Sequence, residues 1–374
     1  MNIKKIGYQI YGCISQLFRI CPVKKEKVVF FMVHNSKFKS NLGYMYQAMK
    51  KENPNRKFVI VSKADLFSGG TLKKIKGALY FYFGLNYHLA TAEYVFLNDN
   101  FLPLSCMHVS KKTKIVQMWH GIGAWKRFGL TTEEDPVTRE AVEKGNKKVT
   151  HLFVSAKRIV PFYEEAMGIP KERIYPVGLP VLDFYFREDM RKQARERFYE
   201  SYPMLRNKKI LLYTPTFRAT KEENEQLLKR FQAEKLKNAL GEDWAVLVRL
   251  HPAVKGQFVE SGEGCYDASG YADVKDLYEV ADVLVNDYSS TMVEYVLLDK
   301  PIVLFSYDLE KYDRGFYADY VKNSPGPIVT DLEQLVEVVK KQEVDEEARE
   351  RFLQLHYDYY DADNTKRVME ILSI

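Results

Sequence analysis

The sequence has 374 residues, of which 46% are hydrophobic and 28% are charged. This length fits two domains of ordinary size better than one, and this composition excludes an intrinsically disordered chain. The formal net charge is only +6, and the lysine clusters accompany no zinc-finger or RNA-binding signature, so nucleic acid is the partner least expected.

The four cysteines are scattered without CxxC spacing, which argues against a disulfide framework and against a zinc site. No run of about twenty uncharged apolar residues occurs, so we expect no membrane-spanning helix. The first apolar stretch contains Gln9, Gln16 and Arg19 and lacks a small-residue cleavage site, unlike a secretory signal peptide. These features predict a soluble-bodied protein of the cytoplasm.

Two segments could contact a membrane. Residues 6–20 have the pattern of a helix that is apolar over most of its surface and flanked by lysines. Such a helix either lies on an anionic inner leaflet or packs on the protein's own body, and both interpretations are open. Residues 71–90 combine three lysines with a dense aromatic stripe. A core helix is the default interpretation there, and a second membrane contact is the alternative.

From residue 27 onward, short apolar runs alternate with polar or helical-period segments. The first series of runs lies at 27–33, 58–63, 92–98, 114–119, 151–155 and 173–177. The second series lies at 208–213, 244–250, 282–286, 301–306 and 327–330. Near-continuous apolar strands that alternate with helices are typical of parallel sheets covered on both faces, so the sequence predicts two consecutive α/β units.

The segment 187–208 separates the two series and makes a suitable linker. We therefore predict an amphipathic, membrane-associating segment (1–26), two Rossmann-like domains (27–205 and 206–355) and a C-terminal helix (356–374). This last helix could pack back on the first domain. Asp363 or Asn364 is predicted to cap that last helix.

Ligands bind beyond the carboxyl ends of the strands in parallel α/β sheets, so the residues that follow each strand are the candidates for a site. His120 follows the run 114–119 within the motif WHGIG. Histidine is the natural general base near neutral pH, and glycines such as Gly121 permit close approach of a ligand. The alternative is a structural histidine inside a turn. His34 also ends an apparent strand.

Arg249 and His251 end the run 244–250. The two-residue period of a strand places both on one face, where a cationic pair suits a pyrophosphate or a developing negative leaving group. Thr214, Thr216 and Arg218 follow the run 208–213 and offer two hydroxyls and a guanidinium, a usual set for phosphate recognition.

The segment 286–294, NDYSSTMVE, reads as a strand end, a polar turn and a helix start. Helix N-termini bind phosphate through free N–H groups, and neighbouring hydroxyls add donors. Thr291 and Glu294 also have the spacing of a capping box, so a local role is the alternative, and both roles can hold. Beyond the run 301–306, the segment 308–317 offers Arg314 and flanking acids that could hold polar groups of a donor, and a solvated charged loop is the alternative.

Several familiar motifs are missing. The sequence contains no GxxxxGK[ST] and no GxGxxG after a strand, which argues against a P-loop and a dinucleotide cofactor. The DxD motif at 361–363 falls at a predicted helix start, where we interpret it as capping. We therefore expect neither a metal site nor a cofactor.

Together these motifs resemble the CDP-glycerol glycerophosphotransferase family of teichoic acid synthesis, and the length is most similar to its primase branch. The matching stretches, in the family's order between about residues 114 and 320, are QMWHGIGAWKRFG, IYPVGLPVLDFYF, ILLYTPTFR, VRLHP, VNDYSSTMVEY, LLDKPIVLFSYDL and RGFY.

The resemblance implies a GT-B fold with an active-site cleft between an acceptor-binding domain (27–205) and a CDP-donor-binding domain (206–355). It implies that His120 deprotonates the acceptor hydroxyl, and that His251 contacts the donor phosphates and favours departure of CMP. The donor-binding set expected from it comprises Thr214, Thr216, Arg218, Arg249, Asp287, Ser289, Ser290 and Glu294, to which we add Arg314. On the acceptor side we place His34, Gly121 and Lys126.

The function implied is transfer of glycerol phosphate from CDP-glycerol, a co-substrate, to a polyprenyl-linked disaccharide or a growing teichoic acid chain. The protein would then work on the cytoplasmic face of the cell membrane, against the inner leaflet. A close variant uses CDP-ribitol or builds a capsule polymer. A nucleotide-sugar glycosyltransferase and a non-catalytic lipid- or polymer-binding protein are the alternatives from other classes.

Overall fold

The computed structural model describes residues 3–33, 38, 40–218, 220–251, 254, 263–312 and 314–374. The chain forms two compact units. The first comprises Met1–Asp183 and Tyr357–Ile374, and the second comprises Phe184–His356. Each unit is built on a six-stranded parallel sheet, as the alternation of apolar runs predicts.

The first unit contains the following strands: β1 (Lys24–Met32), β2 (Lys57–Ser62), β3 (Ala92–Leu97), β4 (Lys114–Gln117), β5 (His151–Phe153) and β6 (Ile174–Tyr175). Its helices up to residue 183 are α1 (Ile3–Leu17), α2 (Asn41–Glu52), α3 (Lys63–Leu66), α4 (Thr71–Leu79), α5 (Asn86–Ala90), α6 (Pro136–Asn146) and α7 (Val160–Met167). A π-helical turn, Tyr80–Leu85, joins α4 to α5.

The strand order of the first sheet is β2-β1-β3-β4-β5-β6. The central strands are buried on both faces, as continuous apolar runs require, and Val28, Phe30 and Phe96 have no exposed surface. The chain leaves β1 toward β2 and returns to the other side of β1 at β3. The order of strands therefore reverses between β1 and β3, and this is the position where open α/β sheets bind ligands.

The second unit contains the following strands: β7 (Lys209–Tyr213), β8 (Trp244–Val248), β9 (Cys265–Asp267), β10 (Val283–Asn286), β11 (Ile302–Phe305) and β12 (Ile328–Val329). Its helices are α8 (Glu188–Ser201), α9 (Lys221–Phe231), α10 (Ala233–Leu240), α11 (Val274–Val280), α12 (Thr291–Tyr295), α13 (Tyr320–Asn323), α14 (Leu332–Lys341) and α15 (Glu346–His356). The chain then returns to the first unit with α16 (Asn364–Leu372).

The order of the second sheet, β12-β11-β10-β7-β8-β9, is that of a dinucleotide-binding Rossmann sheet. Its reversal point lies between β7 and β10. The three-residue strand β9 escapes sequence prediction because Cys265–Asp267 has no apolar run, and only Cys265 within it is buried.

The two units divide between residues 183 and 184, whereas we predicted a boundary between 205 and 206. Helix α8 belongs to the second unit because its arginines bind acids of α11. Arg191 Nε lies 3.0 Å from Glu279 Oε2, and Arg197 Nη2 lies 2.6 Å from Asp276 Oδ1. An amphipathic pattern alone does not indicate which of the two units this helix belongs to.

Helix α16 packs in the first unit. Its N-terminal N–H groups are capped by Asp183, which accepts from Asn364 N at 2.8 Å and from Thr365 N at 3.1 Å. Asp363 is the N-cap residue of α16, as one of the two predicted alternatives has it, but its side chain makes no capping bond. Asp361 instead pairs with Arg367 through both oxygens, at 3.0 and 2.9 Å.

Helix α1 packs on its own unit through Tyr11, which is fully buried and contacts the rings of Phe81 and Phe101 at centroid distances of 5.0 and 5.5 Å. Other apolar side chains of this helix remain exposed, including Ile3 and Leu17 at 85% and 63%. The packing interpretation thus holds for one face of the helix and leaves a second apolar face uncovered.

The segment 71–90 shows the same division. Leu85 and Leu89 are buried, whereas the side chains of Leu72 (68%), Leu79 (57%) and Phe83 (47%) are exposed. Among the described residues, no helix combines the length and apolar character that crossing a bilayer requires.

Candidate functional site

In the first unit, His120 lies in a turn that follows β4. The turn places Trp119 at a φ of +39°, and the Trp119 and His120 rings lie 4.3 Å apart between centroids. Trp119 stacks in turn on Phe128 at 5.4 Å. A bulky residue at positive φ is uncommon and persists only where its surroundings hold it, which here are the packed aromatic rings.

The imidazole of His120 faces the loop that follows β3. Its Nδ1 lies 3.3 Å from the carbonyl oxygen of Asn98 and 3.7 Å from Oδ2 of Asp99. A carbonyl oxygen only accepts, so this contact places the proton of the neutral ring on Nδ1 and leaves the lone pair on Nε2. The side chain of His120 is 32% exposed.

Buried amide side chains hold this turn in place. Gln117 donates from Nε2 to the carbonyl oxygen of Asp99 at 3.1 Å and accepts from Trp119 N at 3.0 Å. Asn41 donates to the carbonyl oxygen of Met118 at 3.1 Å. The bond from Gln117 to Asp99 joins the ends of β4 and β3, the strands that present His120 and Asp99, and the bond from Asn41 ties α2 to the same turn.

The other residues predicted on the acceptor side are placed as follows. A Cβ at Gly121 would lie 3.5 Å from the Trp119 ring, an ordinary contact distance, so backbone crowding does not require a glycine there. Lys126 is partly buried six residues beyond His120. His34 lies outside the described residues.

In the second unit, hydroxyl groups meet at the reversal point between β7 and β10. Thr214 Oγ1 and Thr291 Oγ1 lie 2.8 Å apart, and Asn286 donates to Thr291 Oγ1 at 2.5 Å. Thr214 and Thr216 are 2% and 7% exposed, so the protein itself encloses most of each side chain.

Arg218 binds two carboxylates of its own unit. Its Nη1 donates to Asp287 Oδ2 at 2.9 Å, and its Nε and Nη2 donate to the two oxygens of Asp308 at 2.8 and 3.0 Å. Tyr288 also donates to Asp308, at 2.8 Å. Burial, followed by the charge of Asp308, raises the pKa of Tyr288, so its hydroxyl stays protonated as a donor.

Arg249 is tied to backbone rather than aimed at a ligand beside His251. Its Nη1 donates to the carbonyl oxygens of Ala268 and Tyr271, at 3.0 Å each. Strand β8 ends at Val248, so the two-residue period that placed Arg249 and His251 on one face does not continue to His251. A shared face for this pair therefore stays a prediction.

His251 lies beside a concave surface of about 220 Å³. Its ring lies 4.5 Å from that of Phe217, and both residues line the concavity with Thr216 and Leu250. His251 itself is exposed. The arrangement presents an exposed imidazole, held by an aromatic neighbour, beside this concave surface.

The capping box predicted at Thr291 and Glu294 does not form. Helix α12 has Ser290 at its N-cap position without a side-chain capping bond. Thr291 bonds instead to Thr214 and Asn286, and Glu294 Oε2 accepts from Tyr185 Oη at 2.8 Å. Burial raises the pKa of Glu294, so this carboxyl gains a proton more readily than a solvated one.

The remaining predicted donor residues differ in exposure. Ser289 Oγ accepts from Thr291 N at 3.4 Å, and Arg314 is exposed. Asp287 has no exposed side-chain surface, and one of its oxygens accepts from Thr216 N at 2.8 Å. Asp287 is therefore a buried residue that holds the loop after β7 in place. Within the described part of the chain, no three His, Cys, Asp or Glu side chains come together as a metal site would need.

Sequence reasoning did not identify Asn98 and Asp99 as site residues. Both directly follow β3, so the rule that ligands bind beyond strand ends applies to them as it does to the other strand ends. Neither position holds a histidine or an arginine, the residue types on which the prediction relied most.

Residues 13–373 match the family model described as CDP-Glycerol:Poly(glycerophosphate) glycerophosphotransferase. The chain belongs to this family. Among its relatives, a teichoic acid ribitol-phosphate primase of Bacillus spizizenii is 30% identical over 99% of this chain and 97% of the relative. A teichoic acid poly(ribitol-phosphate) polymerase of the same organism is 28% identical over 98% of this chain, which spans only 59% of the polymerase.

A structure of the wall teichoic acid polymerase TagF superposes on this member of the glycerophosphotransferase family with a TM-score of 0.79. The alignment covers 100% of this chain and 98% of the TagF chain, at 20% sequence identity. This likeness confirms the predicted fold class, α/β of the GT-B type with two parallel sheets.

Proposed function

We propose that the chain transfers an alditol phosphate from a CDP-alditol to the hydroxyl of a lipid-linked teichoic acid acceptor, with glycerol as the alditol. Membership of the family supports the reaction class. The observation that carries the proposal is the environment of His120, whose Nδ1 lies 3.3 Å from the Asn98 carbonyl oxygen, so that the neutral ring carries its basic lone pair on Nε2.

In the proposed reaction, His120 Nε2 removes the proton of the acceptor hydroxyl while its oxygen attacks the phosphorus that carries the glycerol. A new P–O bond forms, the bond between that phosphorus and the bridging oxygen breaks, and CMP leaves with the electron pair. Phosphoryl transfer depends on positioning and on neutralising charge more than on covalent help. His251 is proposed to contact the donor phosphates and favour the departure of CMP.

The test is to supply a polyprenyl-linked disaccharide with CDP-glycerol, CDP-ribitol or a UDP-sugar in parallel, and to identify the products by mass spectrometry. We expect CMP release and a mass increase of one or more glycerol phosphates. Turnover of the UDP-sugar alone would contradict the proposal. His120→Ala should lower the rate by about 10²- to 10⁴-fold, the usual contribution of a general base. A variant with unchanged turnover would exclude His120 as that base.

Ribitol is the second candidate alditol, because the primase and the polymerase compared above are both named for ribitol phosphate. The parallel assay decides between the two donors, and the number of units added distinguishes a primase from a polymerase.

We further propose that the first unit contacts an anionic membrane surface through the exposed apolar side chains of α1 and of segment 71–90. Lysines of the same segments, such as Lys73 and Lys76, are exposed beside them, and basic amphipathic helices bind anionic lipid in this way.

Sedimentation with phosphatidylglycerol vesicles tests this contact. The double variant Leu17→Ser, Leu79→Ser should weaken binding. Val321→Ser, which also replaces an exposed apolar side chain by serine but in the second unit, should not. Equal binding by all three proteins would contradict the proposed surface.

A further inference from the structure

We propose that Asp99 is the positioning residue of His120: it orients the imidazole and stabilises the charged form that develops when Nε2 takes a proton. The inference deepens the proposed function and rests on it for the identity of the reaction. The geometric part concerns two side chains of the first unit and can be tested without turnover.

Two groups of the loop after β3 face His120 Nδ1. The carbonyl oxygen of Asn98 lies 3.3 Å away and accepts the Nδ1 proton, and Asp99 Oδ2 lies 3.7 Å away on the same nitrogen. The carbonyl oxygen selects the tautomer, because it can only accept a hydrogen bond. The carboxylate adds what the carbonyl lacks, a full negative charge beside a ring that becomes positive during the reaction.

Asp99 is held in this orientation by its neighbours. Its Oδ1 accepts from the backbone N–H of Asn100 at 2.6 Å, and its own carbonyl oxygen accepts from Gln117 Nε2 at 3.1 Å. With Oδ1 occupied, Oδ2 is the oxygen directed at His120. Asn98 is fixed in the same way, because its side-chain oxygen accepts from Val33 N at 2.8 Å.

The contact is only partly screened from solvent. The side chains of His120 and Asp99 are 32% and 23% exposed, so the carboxylate acts in an environment drier than water but not sealed from it. On its other side the imidazole meets the uncharged ring of Trp119. We therefore expect a moderate effect, in which the carboxylate raises the affinity of the ring for a proton and holds Nδ1 toward the loop after β3.

The decisive experiment compares Asp99→Asn with the unmodified chain. Asparagine keeps the size and can still accept from Asn100 N–H, but it removes the charge. Nitrogen NMR of the ligand-free protein, with the His120 signals assigned by their loss in His120→Gln, reports both the tautomer and the pKa of His120. We expect the pKa to fall by about one unit in Asp99→Asn. Asp65→Asn removes a carboxylate from an exposed position of the same unit and should leave the pKa unchanged.

Activity supplies the second readout. In Asp99→Asn, kcat should fall about tenfold to a hundredfold with little change in KM for either substrate, and the acidic limb of the pH profile should move to lower pH. Asp99→Glu keeps the charge and should recover part of the loss. An unchanged His120 pKa in Asp99→Asn would overturn the inference, as would a loss of activity expressed only in KM.

Failure of the proposed function gives a different pattern. If CDP-alditols were not turned over at all while Asp99→Asn still shifted the His120 pKa, the pairing would stand and the assigned reaction would fall.

Discussion

The guanidinium of Arg218 donates to the carboxylate of Asp287 at 2.9 Å, and Asp287 has no exposed side-chain surface. An arginine after a strand suggested recognition of phosphate. Its three nitrogens instead bind carboxylates of their own unit, since Asp308 takes the hydrogen bonds from Nε and Nη2. Arg218 therefore organises the ends of β7, β10 and β11 before any ligand arrives.

We predict that Arg218→Ala lowers the free energy of unfolding by about 3 to 5 kcal/mol, because it leaves the buried charge of Asp287 without its partner. Urea denaturation measures this change. Arg351→Ala removes an exposed arginine paired with Glu347 and should cost less than about 1 kcal/mol. Adding Asp287→Asn to Arg218→Ala should recover part of the loss, and strict additivity of the two changes would contradict the pairing argument.

Phe217→Leu should lower kcat about threefold to tenfold. The change keeps an apolar side chain but removes the ring that contacts His251 at 4.5 Å, and such ring contacts contribute about 0.5 to 1.5 kcal/mol. Steady-state kinetics with the donor identified above measures the effect. Phe67→Leu is the matched control, since Phe67 is 37% exposed and Phe217 is 38% exposed. Equal kinetics for the two variants would show that the Phe217 ring does not support His251.

Gly178→Ala should strongly destabilise the first unit. A Cβ there would lie 1.8 Å from Oδ1 of Asn364, and Gly178 has a φ of +90°. Gly241 has a similar φ of +101° with open space around it, so Gly241→Ala measures backbone strain without the clash. We expect Gly178→Ala to lower the thermal midpoint by several degrees more than Gly241→Ala. Equal shifts would mean that α16 moves aside without cost.

The stability of the protein should fall as pH is lowered from about 6.5, because burial lowers the pKa of His356 to about 3. The folded chain keeps this ring neutral in that range, whereas the unfolded chain takes up a proton, so unfolding is favoured as pH falls. One such group changes the free energy of unfolding by at most about 1.4 kcal/mol per pH unit.

Urea denaturation at pH 4.5 to 7 tests this expectation. His356→Gln should show a shallower dependence on pH by about one proton. His88 and His151, whose pKa values burial also lowers, to about 4 each, should preserve the remaining slope. An identical slope in the variant and the unmodified chain would rule out the assignment to His356.

The sheet architecture could be predicted from sequence because strands buried on both faces need continuous apolar runs. Of the twelve strands in the described part of the chain, eleven overlap the predicted ones. Strand β9 lacks such a run. The unit boundary was misplaced for another reason. Helix α8 looks like a polar linker, and its membership depends on ion pairs with α11, more than 75 residues away in sequence.

The rule that ligands bind beyond strand ends predicts His120, His251 and Arg218, which follow β4, β8 and β7 in the structure. Their roles in a site stay predictions. The partners of these side chains depend on contacts across strands, which spacing does not reveal. Arg249 illustrates the limit, because two backbone carbonyl groups of a neighbouring loop bind a guanidinium that spacing assigned to a ligand.

The return of residues 357–374 to the first unit makes that unit discontinuous, with the whole second unit inserted within it. During synthesis, all of residues 184–356 leave the ribosome before α16 can dock on Asp183. The inserted unit can therefore fold before the unit that began first, reversing the usual N-terminal-first order. A fusion placed after Ile374 would be attached to the first unit, next to α16, and would affect the folding of that unit. Nascent chains stalled before residue 357 should expose the surface that α16 covers.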